Sequence, residues 1–283
     1  MSDKFLLGRD LPIDRLGFGA MRLPRDGWNG PARDPETGRA VLRRAVELGV
    51  DHIDTADFYR SGDGAVRANV LIREALFPYP SGLVIATKVG PVLGPKGISQ
   101  APAARLRELV EGNLKSLGVE RLELVYLRMG NGMEVPHGES LAERFEALAR
   151  LREEGLIRHL GLSNVDAAHL AEARGIAPVA AVQNEFNIEQ RDDLALLDAC
   201  ASAGIAFVPF GPLGSGHADF SDKRLIKVAA RHDATVSQIA LAWLLARSPV
   251  MLAIPGTGSI SHLEENARAA SISLTADDLE ELA

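Results

Sequence analysis

Short apolar runs alternate along the chain with longer stretches in which apolar residues recur every three to four positions. That pattern predicts buried strands, each followed by an amphipathic helix. Leu16 to Met21 leads through a Gly- and Pro-rich loop to a helix over Thr37 to Leu48; His52 to Ala56 is followed by Gly64 to Leu76, and Leu83 to Val89 by Ala101 to Leu117. The middle of the chain pairs Leu122 to Leu127 with Ser140 to Glu154, Ile157 to Leu162 with Asp166 to Ala173, and Val179 to Val182 with Arg191 to Ala203. Ile205 to Phe210 is followed by a long helix over Leu225 to Ala246, and Met251 to Ile254 by Ser261 to Ala270. About eight strand and helix units with no linker between them predict an α/β protein, a single (β/α)8 TIM barrel domain over residues 1–283. An open doubly wound sheet is the competing arrangement. Such sheets bind dinucleotides through G-x-G-x-x-G after a strand, and neither Gly17-Phe18-Gly19 nor Gly256-Thr257-Gly258 carries the third glycine. Ahead of the barrel, Phe5 to Ile13 with Gly8-Arg9-Asp10 at its middle reads as an N-terminal β-hairpin that covers the barrel floor.

Composition narrows the function classes. The chain sets 31 Lys and Arg against 38 Asp and Glu, a formal net charge of −7 distributed along its length, so nucleic acid is not an expected partner. An apolar fraction of 46% supports a substantial core. Cys200 is the only cysteine, which excludes an internal disulfide and a thiolate zinc cluster and fits a reducing cytoplasm; its small apolar neighbours suit an inert, packed thiol. The seven histidines show no H-E-x-x-H or paired ligand spacing, so no metal is expected. The opening MSDKFLLGRD lacks the apolar stretch of a signal peptide, and the longest apolar run, Ile239 to Ala246, is too short to span a bilayer. A cytoplasmic protein is expected. Trp243 lies on an apolar helical stretch and reads as core.

In a barrel of this kind chemistry sits at the C-terminal ends of the strands. There the sequence places Asp54 with Tyr59 after the second strand, Lys88 after the third, Arg128 after the fourth, Ser163 and Asn164 after the fifth, and Gln183 and Asn184 after the sixth. Lys88 closes an apolar run, where an unpaired ammonium is costly, and Asp54 is placed to neutralise it. A structural rim pair and a catalytic pair both fit that placement. Tyr59 beside a cation favours chemistry, because the charge lowers the phenol pKa toward the range of a general acid. Trp28, in the loop after the first strand, suits either a wall of the substrate pocket or the cap of a surface cluster.

These residues carry a resemblance. Asp54-Thr55-Ala56-Asp57-Phe58-Tyr59 and Ile85-Ala86-Thr87-Lys88 resemble the Asp/Tyr and Lys motifs of the aldo-keto reductases. Gly161-Leu162-Ser163-Asn164, Gln183, Pro212-Leu213 and Ile254-Pro255-Gly256-Thr257 resemble that family's cofactor motifs in the same order. The similarity covers essentially the whole chain. Within the family, Val125-Tyr126-Leu127-Arg128-Met129-Gly130, Gln183-Asn184-Glu185-Phe186-Asn187-Ile188 and Ala242-Trp243-Leu244-Leu245 are similar to a bacterial pyridoxal reductase-like branch.

The resemblance implies hydride transfer between a nicotinamide cofactor and a small carbonyl compound, pyridoxal or a similar aromatic aldehyde, with Tyr59 as general acid and Lys88 and Asp54 supporting it. It implies cofactor contacts from Met21, Ser163, Asn164, Gln183, Phe210, Gly211, Leu213, Gly256, Thr257, Gly258, Ser259, His262, Glu265 and Asn266. Two positions depart from the family pattern. Arg128 stands where most members carry a His; a permanent cation there can orient the carbonyl, hold an anionic or phenolate group, or pair with a rim carboxylate. Gly256 and His262 stand where many members meet the cofactor 2′-phosphate with Lys and Arg; the similarity to the closer branch implies NADPH all the same, with NADH also open. Two other readings stay open: a nicotinamide-binding regulatory or redox-sensing barrel with little turnover, and Schiff-base chemistry at Lys88.

Overall fold

The computed structural model describes residues 4–26, 30–94, 97–214 and 221–283. Its floor is the expected hairpin, β1 (Phe5–Leu7) and β2 (Leu11–Ile13), paired antiparallel. Gly8 and Arg9 turn with φ of 59° and 73°, a conformation that suits glycine and explains its place there. Leu7 and Ile13 plug the barrel from below. Asp10 ties the hairpin to the barrel by accepting from Arg158 at 2.8 Å and contacting His159 Nε2 at 2.7 Å.

Seven parallel strands follow in one curled sheet: β3 (Phe18–Gly19), β4 (His52–Asp54), β5 (Val84–Val89), β8 (Leu122–Arg128), β9 (Ile157–Ser163), β10 (Val179–Gln183) and β11 (Ala206–Phe207). The eighth stave is segment 251–255. It bridges Met251 to Phe207 and Ala253 to Leu16, and with Gly17 N–H donating to Ala253 O at 2.9 Å it closes the ring. The barrel reading holds. Closure is made by isolated bridges, so the first and last expected strands are shorter than their apolar runs. Between β5 and the third helix a second hairpin, β6 (Pro91–Gly94) with β7 (Gly97–Gln100), appears where the apolar pattern gave no strand.

The helical layer consists of α1 (Pro35–Glu47), α2 (Ala68–Leu76), α3 (Leu106–Leu117), α4 (Ala142–Glu153), α5 (Ala167–Ile176), α6 (Leu194–Ala203), α7 (Lys223–Arg231), α8 (Val236–Arg247) and α9 (Ile260–Arg268), with α10 (Ala276–Glu281) after it. The expected single helix over Leu225 to Ala246 is two. Asp233 turns the chain at φ 48°, and a Thr235/Gln238 capping box restarts it as α8. None of these helices is long and apolar enough to cross a membrane. Trp243 is core, as expected, stacked on Phe186 at 6.1 Å. Cys200 is buried, and burial pushes its thiol up to about 12, which keeps it inert.

Strand alternation sends Asp54 and Lys88 into the barrel and Thr55 and Thr87 toward the helices. Behind the sheet those hydroxyls meet a fully buried amide pair. Thr55 Oγ1 donates to Asn69 Oδ1 at 2.8 Å, Thr87 Oγ1 to Asn113 Oδ1 at 2.6 Å, and Asn69 Nδ2 joins the two by donating to Asn113 Oδ1 at 3.0 Å. Helices α2 and α3 are thereby fixed to β4 and β5, the strands that carry the two buried charges. Replacing Asn69 by Leu strands the Thr55 hydroxyl and one acceptor position of Asn113, so chemical denaturation should show a loss of about 1–3 kcal/mol. An unchanged midpoint would contradict the network's structural role.

Candidate active site

At the C-terminal mouth, β4 and β5 bring their last residues together inside the ring. Lys88 Nζ lies 2.5 Å from Asp54 Oδ1 and donates to Thr55 O at 3.1 Å; the two side chains are 2% and 5% exposed. The opposite oxygen, Asp54 Oδ2, accepts from Gln183 Nε2 at 2.8 Å. A carboxylate held this way by an ammonium and an amide is a fixed counter-charge. Burial is the largest influence on Lys88 and acts to lower its pKa; Asp54 leads the groups acting the other way, and the ammonium is held above its ordinary range. Schiff-base chemistry needs the neutral amine, so this environment opposes that reading.

Tyr59 comes from the loop after β4, and Lys88 Nζ stands 4.8 Å from its ring centre. The expected lowering of its pKa does not result. Burial pushes the Tyr59 phenol above its ordinary range; Lys88 pulls it down, Asp54 opposes Lys88, and Arg128 adds a weaker downward pull. The sequence supplied the cation but not the depth of burial. The result is a phenol that stays protonated at neutral pH with a cation ready to receive the charge of its anion.

Arg128, at the end of β8, donates from Nη1 to Ser163 Oγ at 3.2 Å and from Nη2 to Gly132 O at 2.9 Å, and its guanidinium lies 5.1 Å from the centre of the Phe210 ring. Among the described residues it forms no ion pair with a rim carboxylate. Burial holds its pKa below the usual guanidinium range, with Tyr59 and Glu185 acting the other way. Sequence reasoning missed Tyr126, whose ring fills the barrel interior beside Gln183 and Asp54 and whose phenol burial pushes well above its usual range. Gly161 makes the space, because a Cβ there would sit 2.6 Å from the Tyr126 ring.

The other expected residues divide. Asn164, at φ 59°, spends its amide nitrogen on Met129 O and Glu134 O at 3.0 and 2.8 Å. Gly211, also at positive φ, accepts from Asn187 Nδ2 at 3.2 Å, and Leu213 packs on the core. Met21 lies in the single turn after β3. Segment 256–259 borders that strand: Gly256 abuts Gly19, and Ser259 caps α9, with its hydroxyl 2.8 Å from that of Ser261. His262 is exposed, and Glu265 accepts from Thr235 Oγ1 at 2.6 Å. Asn266 is buried and lines a separate cavity of about 790 Å³ bounded by Arg15, Leu16, Leu48, Val50, Leu245 and Leu263. That cavity faces the N-terminal ends of the strands, and none of the catalytic candidates lines it. Trp28 lies outside the described residues.

The donor set fits a nicotinamide. Among the described residues Gln183 Oε1 is a buried acceptor without a hydrogen-bond partner, and a carboxamide NH2 is the group that would satisfy it.

A model of the Aldo/keto reductase family matches residues 15–283. The chain belongs to that family. This aldo-keto reductase is 46% identical to pyridoxine 4-dehydrogenase of Escherichia coli (strain K12), over 99% of this chain and 97% of that one. It is 43% identical to an uncharacterised oxidoreductase of Schizosaccharomyces pombe, over 95% and 85% of the two chains. Among solved structures, an aldo-keto reductase of Klebsiella pneumoniae in complex with NADPH superposes with a TM-score of 0.82 at 26% identity, covering 100% of this chain and 94% of that one. The barrel is therefore that of an oxidoreductase that acts on small carbonyl compounds, as its family does.

Replacing Asp54 by Asn leaves the Lys88 ammonium buried and unpaired, so the variant should lose about 3–5 kcal/mol of stability at pH 7. Its Lys88 pKa then falls below the unfolded value, the unfolded chain binds more protons, and stability rises with pH from neutrality toward 10, where the wild type shows no such gain from this site. Denaturation of both proteins across that range checks the sign; parallel curves would refute it.

Proposed function

We propose that this aldo-keto reductase is an NADPH-dependent reductase of small aldehydes, with pyridoxal or a similar aromatic aldehyde as its substrate. The observation that carries the reading is the buried Asp54 and Lys88 pair set against the Tyr59 phenol, with Arg128 held over Phe210 on the other side of the mouth. Similarity to pyridoxine 4-dehydrogenase supports the substrate class, since that name describes the same reaction in reverse.

Gln183, with its unsatisfied Oε1, and Ser163 would hold the nicotinamide carboxamide, and Gly256, Thr257, Gly258 and Ser259 form a backbone-lined segment at the start of α9 suited to phosphate. When bound, the reduced nicotinamide supplies the hydride that reaches the carbonyl carbon. Tyr59 gives its proton to the carbonyl oxygen, and the phenolate that remains is stabilised by Lys88, whose own charge is fixed by Asp54. The proton returns to Tyr59 from solvent. Arg128 supplies further donors at the mouth, which suit the carbonyl oxygen or the phenolate oxygen adjacent to the aldehyde of pyridoxal. Its contacts to Ser163 and Gly132 hold the guanidinium in place before substrate arrives.

NADPH oxidation by the purified protein should be fastest with pyridoxal among aromatic and aliphatic aldehydes, and Tyr59→Phe should lower kcat by about 10²- to 10⁴-fold. Arg128→Ala should raise KM for pyridoxal more than for an aliphatic aldehyde. Tyr59-dependent turnover of other aldehydes alone would overturn the substrate. Tight NADPH binding with no turnover of any aldehyde would favour a regulatory barrel instead.

A further inference from the structure

The segment expected to meet the cofactor phosphate carries no cation of its own: Gly256 and His262 occupy the two places where basic residues are common in the family. At Gly256 the reason is steric. A Cβ there would lie 2.4 Å from Gly19 O, because the end of β3 and segment 254–256 run in contact, with Gly19 N–H donating to Pro255 O at 3.2 Å. No lysine fits at 256 without opening the barrel seam. Positive charge reaches this segment from elsewhere. The place that a Cβ on Gly258 would take is filled by the guanidinium of Arg33, with Cζ and Nε at 2.7 Å and Nη1 at 2.9 Å from that point. Gly258 is the one position in the segment where a missing side chain lets a cation lie flat on the backbone.

Arg33 arrives on a short, internally tied segment. Its N–H donates to Pro24 O at 3.0 Å, Arg25 bridges Ala32 antiparallel, and its Nε donates to Arg25 O at 3.3 Å. Its only carboxylate partner among the described residues is Asp26, at 2.7 Å, on a side chain 71% exposed. An exposed pair of this kind is weak and exchanges readily. A phosphate dianion placed between Arg33 and the start of α9, where Ser259 and Ser261 supply hydroxyls, is a stronger partner than Asp26.

We propose that Arg33, seated on Gly258, is the cation that recognises the 2′-phosphate of the cofactor and sets the preference for NADPH over NADH. This rests on the reading of the protein as a nicotinamide-dependent reductase. It assigns to the first strand-to-helix loop the cation that the last strand's loop does not carry in this sequence.

The test is equilibrium binding of NADPH, NADH and adenosine 2′,5′-bisphosphate to the full-length protein, followed by cofactor fluorescence and calorimetry. Arg33→Ala should weaken NADPH and the bisphosphate by about 10- to 100-fold and leave NADH unchanged. Arg33→Lys should recover part of the loss. Gly258→Ala keeps every charge but moves the guanidinium off its seat, and it should weaken NADPH selectively as well. Equal weakening of NADPH and NADH in Arg33→Ala would move the contact to the pyrophosphate and overturn the assignment, as would unchanged NADPH affinity. Wild-type protein that binds neither dinucleotide would instead remove the reductase reading on which the proposal rests.

Discussion

A charge pair almost wholly withdrawn from water governs this molecule. Lys88 and Asp54 sit almost fully buried, and burial at that depth is tolerated only because the ammonium has a carboxylate and a backbone carbonyl, and the carboxylate has an ammonium and an amide. The pair also fixes strand phase. With a side-chain period of two, a slip of one residue in β4 or β5 would drive an unpartnered charge into the helix layer and bring Thr55 or Thr87 into the barrel. The Asn69 and Asn113 amides on the outer face hold the threonines with the same exclusivity. One strand register thus satisfies two buried polar systems, one on each face of the sheet.

The electrostatics of the mouth run against those of the whole chain. The molecule carries a formal net charge of −7, yet the residues around the barrel opening include Lys88, already neutralised by Asp54, and Arg128, whose guanidinium faces Phe210 and backbone oxygen. A cation held by neutral groups projects its field outward, whereas one held by a carboxylate does not. The phenol of Tyr59 feels both cations, which pull its pKa down, while burial and the Asp54 charge push it up and prevail.

Much of this was legible in the sequence, and the rest fails for physical reasons. Asp54, Lys88, Arg128 and Gln183 could be placed because each ends an apolar run, and strand periodicity is local information. The boundary between α7 and α8 could not, since apolar residues keep helical spacing through Asp233 and only the Thr235 and Gln238 capping pair marks the restart. The β6 and β7 hairpin has too little alternation to read as strands. Tyr126 looked like one more apolar residue; its interior place depends on the space left by Gly161 on the adjacent strand. For the Tyr59 pKa, the neighbouring lysine is visible in a motif, whereas the desolvation that outweighs it is a property of the assembled mouth.

The seam between the first and last staves has a consequence for how the chain is made. Segment 251–255 is the piece that joins β3 to β11, and it follows every other strand of the ring in chain order. While a ribosome is still delivering the chain, every strand up to β11 can pair with its neighbour, but the sheet remains an open, curled ribbon with two bare edges. Exposed strand edges are templates for adhesion to other chains, and contacts this distant in sequence form late. The nascent protein therefore keeps both sheet edges uncovered until residues 251–255 have emerged, the interval in which a holding chaperone has most to protect.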